Sequence, residues 1–357
     1  MGAAGRALAR AGARLPGLAG GPRAGGQDAG GQEAEGRWSD ARVERLLGAV
    51  ACLVLLLIAG MVIFVFAKAW PSFAGNGFFG WFDAKGDTAR QMEDIFNSPA
   101  NPDAYEYELS AWSLLWGTAV ITLGAVVIGL AFSLFAAIFI VEFAPARVNR
   151  VLEPVVRLLA AVPSVVYGLI GILVLVPFVA DHFISPERKE SVAFVVQLSG
   201  GSVLVAVAIL TVMITPIMIA IVVDALRAVP RSWMEGAAAL GVNRWRVMWT
   251  IAVRTARPAI IAAAVLASAR ALGEAIMLSM VSGSTYFAPN PIDGLTFFLE
   301  PTRPLGAAIV DNSEGLSVEP FGQTLYAFAA VLLVSSVALS LGGYIAKRPL
   351  RKYGVRP

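Results

Sequence analysis

The sequence is poor in the groups that carry covalent chemistry. It has one cysteine, Cys52, and one histidine, His182, in 357 residues. A lone cysteine has no intrachain disulfide partner, and no His/Cys cluster has the spacing of a metal site. No G-x-x-x-x-G-K-[ST] run occurs, which excludes a P-loop for nucleotide phosphates. A clustered Ser/His/Asp arrangement is missing, as is a basic, aromatic platform for nucleic acid. Charge is scarce as well: Asp, Glu, Lys and Arg make up 15%, where soluble domains carry about 25%.

Hydrocarbon fills the space that charge leaves. Hydrophobic residues reach 57% and mean hydropathy is +0.71. Several apolar runs exceed the roughly 18 residues that mark a membrane-spanning helix. The composition therefore predicts an all-α integral membrane protein with six spans, at about 46–67, 112–141, 155–179, 202–223, 258–281 and 321–346.

The connections between these spans alternate in charge. Seven arginines, from Arg6 to Arg45, precede the first. Arg147 and Arg150 follow the second, and six arginines from Arg227 to Arg257 follow the fourth. The stretches 68–111 and 282–320 are acidic instead, with seven acids against three bases and five acids against Arg303. Basic residues collect on one side, which predicts cytoplasmic N- and C-termini. The expected layout is a disordered tail over 1–45, an anchor helix 46–67, an outer loop 68–111, a helical membrane domain 112–346 and a basic tail 347–357. The tail is rich in Gly, Ala and Arg and has too few large apolar side chains to offset chain entropy. Its arginines suit anionic lipid. The apolar run before Ala67-Lys68-Ala69 is longer than the roughly 7 to 15 residues of a signal peptide, so the first helix is read as an uncleaved anchor.

The basic stretch between the fourth and fifth spans, with the residues that follow it to 260, reads "DALRAVPRSWMEGAAALGVNRWRVMWTIAVRTARPAI" from Asp224. It predicts a short helix over Ser232–Leu240 with Glu235 in the first turn, where the helix dipole favours an acid. Gly241 then supplies a corner without a Cβ penalty. Trp245, Val247, Met248 and Ile251 give a second short helix an apolar side. Such a knob suits a groove on another protein, although alanine, tryptophan and arginine also suit a helix lying on a membrane.

The spacing Glu235-Gly236-Ala237, then Gly241, then Ile251 resembles the EAA loop of ABC importer permeases, with Gly236 and Arg254 departing from the usual residues. "LAAVPSVVYGLIGILVLVPF" and "ARALGEAIML" are similar to the phosphate-specific permeases of the Pst system, and the RALGE run to their PstC branch. The resemblance implies a type I, MetI-like permease fold over 112–346, with Glu235, Gly236, Ala237, Gly241 and Ile251 docking on an ATPase. It also implies a second permease subunit, an ATPase dimer that carries ATP and Mg, and an extracytoplasmic phosphate-binding protein. It implies no cofactor in this chain and a place in the cytoplasmic membrane.

Arg270 and Glu274 lie in the apolar run 258–281. A charge at the bilayer centre costs about 2.5 to 3.5 kcal/mol on insertion scales and marks either a pathway or a packed pair. Four residues apart on one helix, the two would share a face and reach each other. A self-neutralising pair that locks packing is one reading. Contact with a travelling oxyanion is the other, since guanidinium donors match phosphate oxygens. Glu274 would then temper Arg270 and accept the proton that phosphate carries and sulfate lacks. Pro163, Ser164, Tyr167 and Gly168 interrupt the third span, with Ser164 and Tyr167 as further candidates for the pathway, and Thr211, Thr215 and Pro216 weaken the fourth. Sulfate, molybdate or tungstate transport, or a non-transporting membrane scaffold, are the competing functions.

Overall fold

The computed structural model describes residues 29–100, 106–194 and 196–347. Among these residues no β-strand forms; the single isolated bridge joins Gly283 to Thr302. The chain divides into two compact units, Met1–Met61 and Val62–Pro357. In the first unit the described residues are helical from Ala29, where α1 (Ala29–Gly80) begins. The expected disorder of 1–45 is thus corrected for 29–45, and residues 1–28 lie outside the described residues. Extending an established helix needs no new nucleus, and Ala, Gln, Glu and Arg in this stretch are good helix formers.

The second unit holds the remaining helices. Near its start, the positive φ of Gly77 kinks α1, and α2 (Thr88–Asn97) follows, capped by the Asp87 carboxylate. Next come α3 (Trp112–Ile138), α4 (Ala146–Ala160), α5 (Ser164–Ile170), α6 (Val176–His182) and α7 (Pro186–Val192). Then follow α8 (Val203–Arg227), α9 (Arg231–Ala239), α10 (Arg244–Val247), α11 (Val253–Leu272), α12 (Ile276–Val281), α13 (Leu305–Asp311) and α14 (Phe321–Lys347). Single π-helical turns at Phe139–Phe143, Gly171–Leu175 and Met248–Ala252 extend α3, join α5 to α6 and join α10 to α11.

Six helical stretches among the described residues are long and apolar enough to cross a membrane: Arg42–Gly77, Trp112–Phe143, Ser164–His182, Val203–Arg227, Arg244–Leu272 and Phe321–Ala346. Three differ clearly from expectation: the first runs on past 67 to Gly77, and the third and fifth start and stop elsewhere. The third begins at Ser164 rather than near 155, because α4 stops at Ala160 and Pro163 enters the next helix as its N-cap. Proline lacks the N–H that would continue a helix and pushes the residue before it out of the helical region. The fifth begins at Arg244 and ends at Leu272, and α12 is a separate segment.

Packing centres on α8, whose broadest contacts are with α3 and α11. Small residues let the backbones approach, as membrane helices require. A Cβ at Gly129 of α3 would stand 3.2 Å from the Thr215 hydroxyl, and Ser133 donates to the Thr215 carbonyl at 3.2 Å. A second, smaller core gathers Trp81, Ile95, Leu109, Leu305, Phe321 and Phe328 under α14. At its edge Tyr107 bonds Ser72 at 2.5 Å and Thr324 at 2.8 Å, and burial pushes its phenol above the ordinary tyrosine range.

Candidate functional site

The RALGE run sits where the fifth span breaks. α11 ends at Leu272, Gly273 caps it, and the Glu274 N–H still reaches the Ala271 carbonyl at 3.2 Å. Ala275 then leaves helical register before α12 starts at Ile276. At the far end of α12, the Val281 carbonyl accepts from the N–H of Ser202, the residue just before α8, at 3.1 Å. The break therefore lies roughly 10 Å of helix rise inside that end of α8, within the apolar slab rather than at its edge. Irregular backbone is tolerated at such depth only where protein or an aqueous cavity covers it.

Part of that cover is α13. A Cβ at Gly306 would stand 3.1 Å from the Glu274 carbonyl oxygen and 3.3 Å from Ala275 Cα. Leu305 to Ala308 are all buried, and the Leu305 N–H donates to the Thr118 hydroxyl at 2.9 Å. The stretch 282–320 is therefore no plain outer loop, since it turns back to place a short helix against the broken span. Its signal in the sequence is "PLGAAIVD", a proline followed by small residues in a run too short to span.

The expected Arg270–Glu274 pair does not form. The interruption at Gly273 removes the i,i+4 geometry on which the expectation rested, and among the described residues neither side chain enters an ion pair. Arg270 is exposed at the C-terminal turn of α11, and Glu274 is half-buried beyond the break. The helix dipole favours a cation at that terminus.

The third span brings its own break to this place. Tyr167 is buried, and its hydroxyl donates to the Leu159 carbonyl in the last turn of α4 at 3.0 Å, strapping α4 to α5 across Pro163. Gly168 allows α5 onto α12: a Cβ there would stand 3.1 Å from Met277 Cα. Ser164 is half-buried at the start of α5. Arg270, Tyr167 and the two backbone breaks thus share one locality. Thr211 and Thr215 instead turn their hydroxyls to carbonyls of their own helix, at 2.7 and 2.6 Å.

The second candidate region is the corner after α8. Helix α9 begins one residue earlier than expected, so Glu235 falls outside its first turn. No α9 residue is buried; Glu235 and Gly236 are exposed and Ala237 is half-buried. Gly241 turns the chain at φ +78°, with open space where a Cβ would stand, so backbone conformation rather than crowding calls for glycine there. Asn243 caps α10 through the Trp245 N–H at 2.8 Å. The predicted second short helix instead runs through a π turn into α11, with Ile251 half-buried in that turn. Trp245 and Trp249 fasten it to the end of α3 by ring contacts with Phe143 and Phe135 at 6.3 and 6.1 Å.

Among the described residues, no group of three His, Cys, Asp or Glu side chains is placed to hold a metal ion.

A family model described as "Binding-protein-dependent transport system inner membrane component" matches residues 129–351. The chain is 33% identical over 246 residues to a Bacillus subtilis protein named probable ABC transporter permease protein YqgH, covering 68% of this chain and 72% of that one. It is 31% identical over 265 residues to the probable phosphate transport system permease protein PstC of Methanocaldococcus jannaschii, covering 72% and 81%. Against the phosphate transport system permease protein PstC of Pasteurella multocida it is 26% identical over 312 residues, covering 85% and 90%.

Proposed function

The chain belongs to the family of binding-protein-dependent transport system inner membrane components, and we propose that it conducts inorganic phosphate. It is a multi-pass permease subunit of an ABC importer and not itself an enzyme, since ATP hydrolysis falls to a partner ATPase. Phosphate as cargo is supported by the relatives named as phosphate permeases and by the chemistry of Arg270. The arginine-rich side, with α9, faces the cytoplasm. There α9 and Gly241 dock on an ATPase dimer holding ATP and Mg. A second permease subunit closes the other half of the pathway, and an extracytoplasmic binding protein delivers the ion.

One observation carries this reading. Arg270 is exposed and, among the described residues, its guanidinium enters no ion pair, at a backbone break inside the apolar slab. A guanidinium offers fixed, always-charged donors that match phosphate oxygens in pairs. Transport needs binding strong enough for entry and weak enough for release. With no carboxylate paired to it, Arg270 owes that moderation to its hydration, because attraction between charges falls steeply in water. Glu274 supplies the acceptor for the proton that distinguishes phosphate from sulfate.

Phosphate uptake by cells that depend on this complex tests the assignment. Arg270→Gln should reduce uptake to background at unchanged membrane abundance, and uptake at the normal pace would sink the reading. Glu274→Gln should keep phosphate entry while sulfate begins to compete. Continued exclusion of sulfate would remove Glu274 from its role.

A further inference from the structure

The corner that carries α9 meets the rest of the helical body through the ring contacts after α10 begins and through two ion pairs that flank α9. Behind α9 lies a cavity of about 580 Å³, lined by Glu142, Asn149, Arg227, Arg231, Met234 and Arg244 among others. A hollow transmits a push poorly, because its lining atoms have no partners across the gap. Two ion pairs bracket it. Before α9, Arg227 in the last turn of α8 pairs with Glu153 of α4. After α9, Arg244 at the start of α10 stands 3.9 Å from Glu142 at the end of the second span.

The Glu153 branch continues inward. α4 is one helix of 15 residues with Glu153 near its middle. Its last turn offers the Leu159 carbonyl to the Tyr167 hydroxyl at 3.0 Å, and the next residue, Gly168, lets α5 lie on α12, just past the break that Arg270 precedes. The hydrogen bond from Arg227 holds the Glu153 carboxyl below the usual glutamate range, so the pair is charged at neutral pH. Both side chains are partly exposed, 42% and 30%. Partly exposed pairs are weak and reversible, which suits a contact that is remade in every cycle.

We propose that Glu153 is a positioning residue: through Arg227 it takes up the displacement of α9 and passes it along α4 to the Pro163 break, Tyr167 and Arg270. Glu142 holds the other end of the α9 corner through Arg244. The inference rests on the importer reading for the source of the displacement, yet it is independent of which ion is carried.

Its test uses the assembled complex with its ATPase and reads the break directly. Ser164→Cys in a Cys52→Ser background places the one thiol at the start of α5. ATP with vanadate should change the rate at which a water-soluble maleimide labels it. Glu153→Gln should shrink that nucleotide-dependent change by about threefold or more, the scale on which residues along a coupling route act. Basal ATP hydrolysis and complex abundance should hold. Reversing the pair with Glu153→Arg and Arg227→Glu together should restore the change. An unaltered response in Glu153→Gln, or no nucleotide response with Glu153 intact, would overturn the proposal. So would parallel loss of abundance and hydrolysis without rescue by the reversed pair, since that marks a merely structural contact. Failure of phosphate uptake by the unmodified complex would instead strike the cargo assignment and leave the labelling result standing.

Discussion

Helix α8 and the α11–α12 segment cross the same slab side by side and answer opposite sequence signals in opposite ways. α8 contains Pro216 and two threonines, yet it runs unbroken from Val203 to Arg227. The α11–α12 segment breaks at Gly273–Ala275, where no proline stands. Surroundings account for the difference. In α8 hydroxyls brace the turns beside the proline: Ser133 of α3 donates to the Thr215 carbonyl, and Thr215 itself donates to the Thr211 carbonyl. Hydroxyls of this kind are how membrane helices keep proline. At Gly273 the neighbour presses on the break instead: α13 lies so close that a Cβ at Gly306 would stand 3.1 Å from the Glu274 carbonyl oxygen. A distant segment packs on the place where this helix stops, and the charged residue of the site is stationed at that stop.

The comparison breaks most visibly at Gly306. Gly306→Leu must push α13 off the 274–275 backbone, and overpacking of this kind costs about 1 to 3 kcal/mol. Thermal unfolding of the purified complex should shift down by several degrees, with uptake lost along with it. An unshifted transition would mean that α13 does not hold the break. A smaller effect is expected from Pro216→Ala. The new N–H gains a hydrogen bond worth about 1 kcal/mol while some buried ring surface is lost, so stability should move by less than that and uptake should persist. A large loss there would show that the proline bends α8 for function, and the contrast between the two helices would fail.

How much of this was legible follows the same division. The fold class and the six apolar runs could be read because the span signal is local and additive over some 20 residues. The α9 corner was legible too, since its glycine is demanded by its own φ rather than by a neighbour. Arg270 stood out because a charge in hydrocarbon is conspicuous. Its separation from Glu274 was not legible, because a four-residue spacing promises a shared face only if the helix continues. What packs against the break is Gly306, more than thirty residues further on. Glu153 and Glu142 carry no signal in the sequence for a similar reason. Each looks like an ordinary acid near a span end until the fold brings an arginine from beside α9 to it.

The smallest expected effect concerns the place where the two contrasted helices are tied together on the acid-rich side. There the Glu300 carbonyl accepts the first N–H of α8 at 3.0 Å, while its carboxylate accepts the Asn290 N–H at 3.1 Å. Burial pushes the Glu300 carboxyl above the ordinary glutamate range, and neighbouring Asp293 adds to the rise. A raised carboxyl binds its proton more tightly in the folded protein than in the unfolded chain. Between the unfolded value, about 4.3, and the raised folded value, the native state therefore holds more protons, and stability must fall as pH climbs through that window. Above the window the loss is complete and constant. Glu300→Gln keeps an acceptor for Asn290 and removes the titration. Its unfolding temperature, compared with that of the unaltered complex from pH 4 to pH 7, should gain steadily across the window and then run parallel. Curves parallel throughout would show that the Glu300 carboxylate is solvated as well as an ordinary one. The tie between α8 and the α12 end would then rest on backbone bonds alone.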